Sequence, residues 1–404
     1  MADFARSGSP AVQAQLDRLG TSIYADDILG LDRVLGLLHR LGRPQDRLPP
    51  VLHVAGTNGK GSTCAFLRAG FEAAGLTAHV FTSPHLVRFN ERIRIAGRLV
   101  EDEALAALLA EVLDVNEGIG GSFFEVTTAV ALLIYSRTPA DVCILEVGLG
   151  GRLDATNVVE RPAACGIASI GIDHQHYLGH TLAEIAREKA GIAKSGIPLI
   201  VLAQPPEALA ATQAMAAERG ARALLEGRDW APDASLRPAL PGAHQRRNAN
   251  LAWQMLVAAG LPVTIDQFRD GLANAKWPAR LQRLASGPLA AGRDVMVDGA
   301  HNGDAARALA AHLAADPRHL VLGMLANKDA GEIVALLRPH ALSLTFAAVP
   351  GHASHDPAEL ATKFGGRAAA TLAEALAPLS SPILIAGSLY LAGEALSANL
   401  ELPD

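Results

Sequence analysis

The chain has 404 residues, half of them hydrophobic and 19% charged, with a mean hydropathy of +0.21. Such a composition can bury two or three domain cores, which excludes disorder over the whole length. It holds no run of about eighteen uncharged apolar residues that would span a bilayer, and a formal net charge of −6 argues against a general nucleic-acid binder. The first ten residues lack the basic-then-apolar order of a secretory signal. Cys64, Cys143 and Cys165 fit neither a disulfide framework nor a zinc spacing, so a reducing cytoplasm is the expected location.

In chain order, a strand is predicted over residues 51–55, a helix over 60–74 and a strand over 77–81, with a loop at Ser83 and Pro84. Helices are expected over 101–115 and 125–136. The run DVCILE at 141–146 is almost wholly apolar, as the middle of a parallel sheet demands. A strand over 163–170, a helix over 182–194 and a strand over 198–202 continue the alternation. A second series follows, with strands over 295–298, 319–324, 342–349 and 383–386, and helices over 304–314, 357–363 and 372–379. The expected fold class is α/β, a mostly parallel, doubly wound sheet followed by a smaller Rossmann-like α/β domain. The turn Ser286-Gly287-Pro288 divides the chain into expected domains of residues 1–287 and 288–404.

The residues between strand and helix at 56–63 carry the clearest chemistry. Gly56, Thr57, Asn58, Gly59, Lys60, Gly61 and Ser62 combine a tight turn, a helix N-terminus and one full positive charge, which together form a polyphosphate cradle. The pattern departs from the common phosphate loop, since Val54 takes the first glycine position and Gly61 separates Lys60 from Ser62. The alternative is a glycine-rich turn with a solvated lysine. Glu146 ends a buried strand where open parallel sheets place ligands, and its partner is either Mg²⁺ on a phosphate chain or Arg152. Asp173 and His174 follow the neighbouring strand and could face the same metal. Ser83 offers a hydroxyl to a metal or serves only its turn. Lys189 on its own reads as an exposed helical lysine paired with Glu188 or Asp173. Later signals are Gly242 to Gln245 with Asn248, then Arg280, then Asp298 to Asn302, and lastly Gly387-Ser388.

Together these strings, in order over residues 16–394, resemble the folylpolyglutamate synthases and bifunctional dihydrofolate synthases of the Mur ligase superfamily. The resemblance implies an ATPase domain and a smaller C-terminal glutamate-ligase domain, with catalysis in the cleft between them. It implies that residues 56–62 with Asn248, Arg280 and Asp298 bind ATP, and that Ser83, Glu146 and His174 hold Mg²⁺. Lys60, Asp173, His174 and Lys189 would be catalytic, with Lys189 carbamylated. Leu29, Gly30, Leu31, Ser122, Phe123, Phe124, Glu125, Leu153, Asp154 and Ala155 correspond to the region for the pterin end, and His301 and Ser388 to glutamate contacts. Implied partners are ATP, L-glutamate, dihydropteroate and reduced folates, with no nucleic acid or membrane, and a monomeric chain. Two departures stand out: Ala279 replaces the usual glycine before Arg280, and Asn327 the usual aspartate before Lys328-Asp329.

The implied reaction converts a carboxylate to an acyl phosphate with ATP, and the amine of glutamate then displaces phosphate. Bifunctional activity on dihydropteroate and folates is the expectation, with a monofunctional folylpolyglutamate synthase as alternative. A peptidoglycan-type Mur ligase would need a sugar-nucleotide domain ahead of Val51. A plain ATPase or a non-catalytic nucleotide binder fits poorly with the loop, metal and lysine candidates occurring together.

Overall fold

The strand Val51–Ala55 (β1) is buried at every position and lies at the centre of a large sheet. A computed structural model describes residues 5–21 and 29–404; Met1 to Phe4 of the N-terminal stretch lie outside them. Two compact units are present: Met1–Ala239 with Gln245–Lys276 and Asp404, and Leu240–His244 with Trp277–Pro403. The first unit thus ends ahead of the turn at Gly287.

The sheet of the first unit adds Ala78–Phe81 (β2), Ile93–Ile95 (β3), Arg98–Leu99 (β4), Val142–Glu146 (β5), Ala164–Ile167 (β6), Pro198–Val201 (β7) and Arg222–Leu225 (β8). Their order is β4-β3-β2-β5-β1-β6-β7-β8. The β2-β3 and β3-β4 pairs are antiparallel and all others parallel. Parallel strands covered on both faces need apolar residues throughout, which is why VLHVA and VCILE fill the middle. The register sets Val54 beside Glu146 and Ala55 beside Ile167, so the loops after β1, β5 and β6 leave the sheet at one edge.

The strand expected to reach Ile170 stops at Ile167, because the Ser169 carbonyl accepts from Thr57 and Asn58 instead of continuing the ladder. The helix expected over 182–194 spans Leu182–Ala190, and the chain turns at Gly191, which lies against Arg152. The helix expected from Glu125 begins at Phe123, since Ser122 and Glu125 form a reciprocal cap. Helices Pro10–Thr21, Asp32–Arg40, Pro206–Glu218, Ala243–Ala259 and Ile265–Asn274, and the β3-β4 hairpin, were not foreseen from sequence.

In the second unit Gln282–Arg283 (β9), Val295–Val297 (β10), Arg318–Leu322 (β11), Ala341–Ala347 (β12), Arg367–Ala369 (β13) and Ile383–Ala386 (β14) form a sheet ordered β13-β12-β11-β14-β10-β9. Only the β10-β9 pair is antiparallel. Its core is built from residues such as Leu320, Leu322, Phe346 and Leu384. Among the described residues no helix is long and apolar enough to cross a membrane.

The helix Lys60–Ala73, which opens at the candidate phosphate loop, is pressed by the helix Ile265–Asn274 through two glycines. A Cβ at Gly271 would stand 2.4 Å from the Ala69 carbonyl oxygen, and one at Gly70 would stand 2.7 Å from the Phe268 ring. Gly271→Ala should therefore lower the stability of the protein by about 1–3 kcal/mol, as overpacking against backbone does. An unchanged urea midpoint would show that the two helices can separate at no cost.

Candidate active site

Gly59 enters the helix Lys60–Ala73 with φ 91°, a left-handed conformation that favours glycine. A Cβ there would also fall 2.4 Å from Asn248 Oδ1, so Asn248 lies directly on the loop. Asn248 Nδ2 donates to Gln245 Oε1 at 3.1 Å, and Gln245 is fully buried. Thr57 and Asn58 donate their amides to the Ser169 carbonyl at 2.7 and 3.2 Å. The Thr57 hydroxyl donates to the Gly171 carbonyl and accepts from the Gly171 amide, both at 3.0 Å. These groups tie the loop after β1 to the loop after β6. The first-turn amides from Gly59 to Ser62 have no acceptor inside the helix, and such a terminus attracts phosphate.

Two ammonium groups converge on one oxygen. Lys60 Nζ and Lys189 Nζ each lie 3.1 Å from the Gly56 carbonyl. Lys189 is buried, against the expectation of an exposed helical lysine, and Glu188 pairs with Arg152 at 3.0 Å. That pair also corrects the alternative that Arg152 neutralises Glu146. Burial first, and then the charge of Lys60, push the Lys189 pKa down to about 7, while Asp173 and Asp154 pull the other way. Asp173 is buried and accepts from the His174 amide at 2.8 Å; His174 itself sits at φ 51° with its ring partly exposed.

Glu146 is buried at the end of β5, and Ser83 N donates to its Oε2 at 3.4 Å. Burial first, and then Glu146, push the Cys64 thiol up, against the pull of Lys60, so carboxylate and ammonium act on one small region. Among the described residues no group of three or more His, Cys, Asp or Glu forms a metal cage. The carboxylate of Glu146 and the hydroxyl of Ser83 are hard oxygen donors, the kind suited to a divalent cation that keeps several waters.

Arg33 Nε reaches Glu125 Oε2 at 2.9 Å, which ties the helix after Leu29, Gly30 and Leu31 to the Ser122–Glu125 cap. The Phe124 ring lies 5.8 Å from that of Phe81, and a Cβ at Gly148 would fall 2.3 Å from it. Phe123 stands edge-on to Phe89, with the Arg92 guanidinium 5.4 Å from its centroid. Leu153, Asp154 and Ala155 follow Gly148 in the same loop, where Asp154 caps the short turn Ala155–Val158. Gln245, Arg33 and Arg92 were given no role from sequence; Arg33 meets Glu125, 92 residues away, and Arg92 meets the Phe123 ring, whereas the Gln245 partner Asn248 is only three residues on.

In the second unit Asp298 accepts from the amides of Leu281 and Ala300, each at 2.8 Å. Arg280 Nη1 donates to the Ala279 carbonyl at 2.8 Å, and Ala279 occupies φ 54°, the left-handed region that the glycine of the family would suit. Burial lowers the His244 pKa, opposed by Asp298 and aided by Arg280, which groups these three side chains. His301 Nδ1 lies 2.8 Å from the Gly299 carbonyl. Ser388 caps the helix Leu389–Ala398, and the Gly387 amide donates to Ala300, so the two expected glutamate contacts come from joined loops.

Residues 279–389 match the family described as Mur ligase, glutamate ligase domain. The chain is 35% identical over 400 residues to the folylpolyglutamate synthase of Lacticaseibacillus casei, covering 89% of this chain and 92% of that one. The chain belongs to the folylpolyglutamate synthase/dihydrofolate synthase family. A second member, the dihydrofolate synthase/folylpolyglutamate synthase of Escherichia coli, is 39% identical over 77% of this chain and 75% of its own. Escherichia coli FolC in complex with DHPP and ADP superposes with a TM-score of 0.86 at 33% identity, covering 96% and 97% of the two chains. The Yersinia pestis bifunctional synthase complexed with AMPPNP and Mn ion gives a TM-score of 0.86 at 31% identity, over 98% and 99%.

In this member of the family the buried Lys189 has a consequence for stability. Its folded pKa of about 7 lies below the ordinary 10.5, so between these values the unfolded chain binds the extra proton. Stability contributed at this residue therefore rises with pH across that window, and the penalty is complete below it. Urea denaturation in CO₂-free buffer should show Lys189→Met gaining most over the wild type near about pH 6.5 and least near about pH 9.5. A difference independent of pH would contradict a buried, depressed lysine.

Proposed function

We propose that this chain is a bifunctional dihydrofolate synthase and folylpolyglutamate synthase, joining L-glutamate to dihydropteroate and to reduced folates at the expense of ATP. The observation that carries the reading is the convergence of Lys60 and Lys189 on Gly56 beside buried Glu146, a site for a phosphate chain, in a chain of this family. The amides of residues 59–62 and the Lys60 ammonium hold the transferring phosphate, and Asn248, Arg280 and Asp298 contact the nucleotide. Ser83, Glu146 and His174 would hold Mg²⁺, which supplies neutralising charge to the phosphate chain when bound.

The acceptor carboxylate takes the γ-phosphoryl group and becomes an acyl phosphate. The glutamate amine, oriented by His301 and Ser388, adds to the acyl carbon, and the tetrahedral species collapses with loss of phosphate. A neutral Lys189 amine can add to CO₂ and release a proton, which leaves a carbamate anion beside Lys60, with Asp173 nearby. Leu29, Gly30, Leu31, Ser122–Glu125 and Leu153–Ala155 receive the pterin end, where the Phe124 ring offers a stacking surface. Three buried free cysteines suit a reducing cytoplasm, where we place the protein as a monomer.

The purified protein should release ADP and incorporate glutamate with dihydropteroate and, separately, with tetrahydrofolate. Incorporation with tetrahydrofolate alone would make it a monofunctional folylpolyglutamate synthase, and none with either acceptor would reject the reading.

A further inference from the structure

A buried chain of hydrogen bonds runs from the loop after β5 down into β1. Asp154 Oδ1 accepts from the Thr156 hydroxyl at 2.5 Å and from the Thr156 amide at 3.0 Å, and Oδ2 accepts from the Leu149 amide at 2.8 Å. The Gly148 amide also acts on this carboxylate. A carboxylate has about four acceptor positions, so the side chain of Asp154 is spent within its own loop. It closes residues 148–156 into a ring.

The foot of the ring is His53. Thr156 is fully buried and has a single hydroxyl proton, which goes to Asp154. His53 Nε2, 2.8 Å from the same oxygen, must therefore be the donor of that contact. His53 is itself fully buried on β1, and burial aided by Lys194 keeps it neutral, with a pKa of about 3. With the proton on Nε2, its Nδ1 is a buried acceptor, and among the described residues it has no hydrogen-bond partner. An orphaned ring nitrogen in a parallel sheet is a cost that an apolar side chain would not carry, so the histidine is explained by what Nε2 holds.

We infer that His53 and Thr156 are positioning residues that act through Asp154 to hold the 148–156 loop in the shape that receives the pterin end of the acceptor. Asp154 belongs to this device as its keystone, and its backbone and the neighbouring Ala155 meet the substrate. The inference rests on the proposed reading of that loop as the pterin site, and a separate variant tests that reading.

The experiment measures KM and kcat of the full-length enzyme for dihydropteroate, ATP and glutamate. Thr156→Val keeps the volume and removes the hydroxyl, whereas Thr156→Ser keeps it. Thr156→Val should raise the KM for dihydropteroate about tenfold, the worth of a hydrogen bond to a charged group, while leaving the KM for ATP unchanged. Thr156→Ser should restore it. His53→Leu should match Thr156→Val, and the double variant should be no worse than either, because one chain of bonds is cut once. Phe124→Ala tests the parent reading by removing the ring beside Gly148. If it raises the dihydropteroate KM and Thr156→Val does not, the relay is overturned and the pterin site stands. If Phe124→Ala is silent, the pterin reading falls and the relay with it. A Thr156→Val enzyme whose KM rises for ATP and dihydropteroate alike also overturns the proposal, since that is general damage.

Discussion

Two ammonium groups aimed at the carbonyl oxygen of Gly56 set the electrostatic problem that the rest of the site answers. Lys60 stands at a helix N-terminus, where the partial charge is already positive. Lys189 is buried behind it, and two cations so placed cannot both be comfortable in a region poor in water. The fold resolves this by depressing Lys189 and by setting Asp173, Asp154 and Glu146 around the pair. A bound triphosphate adds the negative charge that such an arrangement lacks, which accords with membership of an ATP-dependent ligase family.

The sheet supplies the positions. Because β5 and β6 flank β1 in parallel register, the Gly56–Ser62 loop, Glu146 and the Asp173-His174 loop emerge side by side. The Thr57 hydroxyl locks the first loop to the third through Gly171, and Lys189 reaches back from the helix that follows. Rigid strands thus carry the precision, and the loops inherit it. In the second unit the same rule places Asp298 after β10 and Ser388 after β14, joined through Gly387 and Ala300.

Much of this was legible in the residues. Continuous apolar runs named β1 and β5, and the glycine-lysine string marked the turn from β1 into the helix Lys60–Ala73. What the sequence hid were partners far apart along the chain. Glu188-Lys189 reads as an exposed helical pair, yet Lys189 finds its acceptor 133 residues earlier, and Glu188 finds Arg152. Arg33 and Glu125, 92 residues apart, offer no local pattern at all. His53 is a polar residue in an apolar strand, and Thr156, 103 residues away and brought over by the fold, gives it a task. Ala279 is a different case: the sequence showed a departure from glycine, and the backbone angle gives its physical meaning. The unforeseen helix Ile265–Asn274 did carry a local signal, since Thr264 and Gln267 form a reciprocal cap at its start.

We propose that Lys189 presents a neutral amine next to Lys60 and is converted to a carbamate. Carbon-13 NMR of the enzyme equilibrated with labelled bicarbonate, Mg²⁺ and an ATP analogue tests it most directly. A carbamate resonance present in the wild type and missing from Lys189→Arg is the predicted result; identical spectra from the two proteins would contradict it.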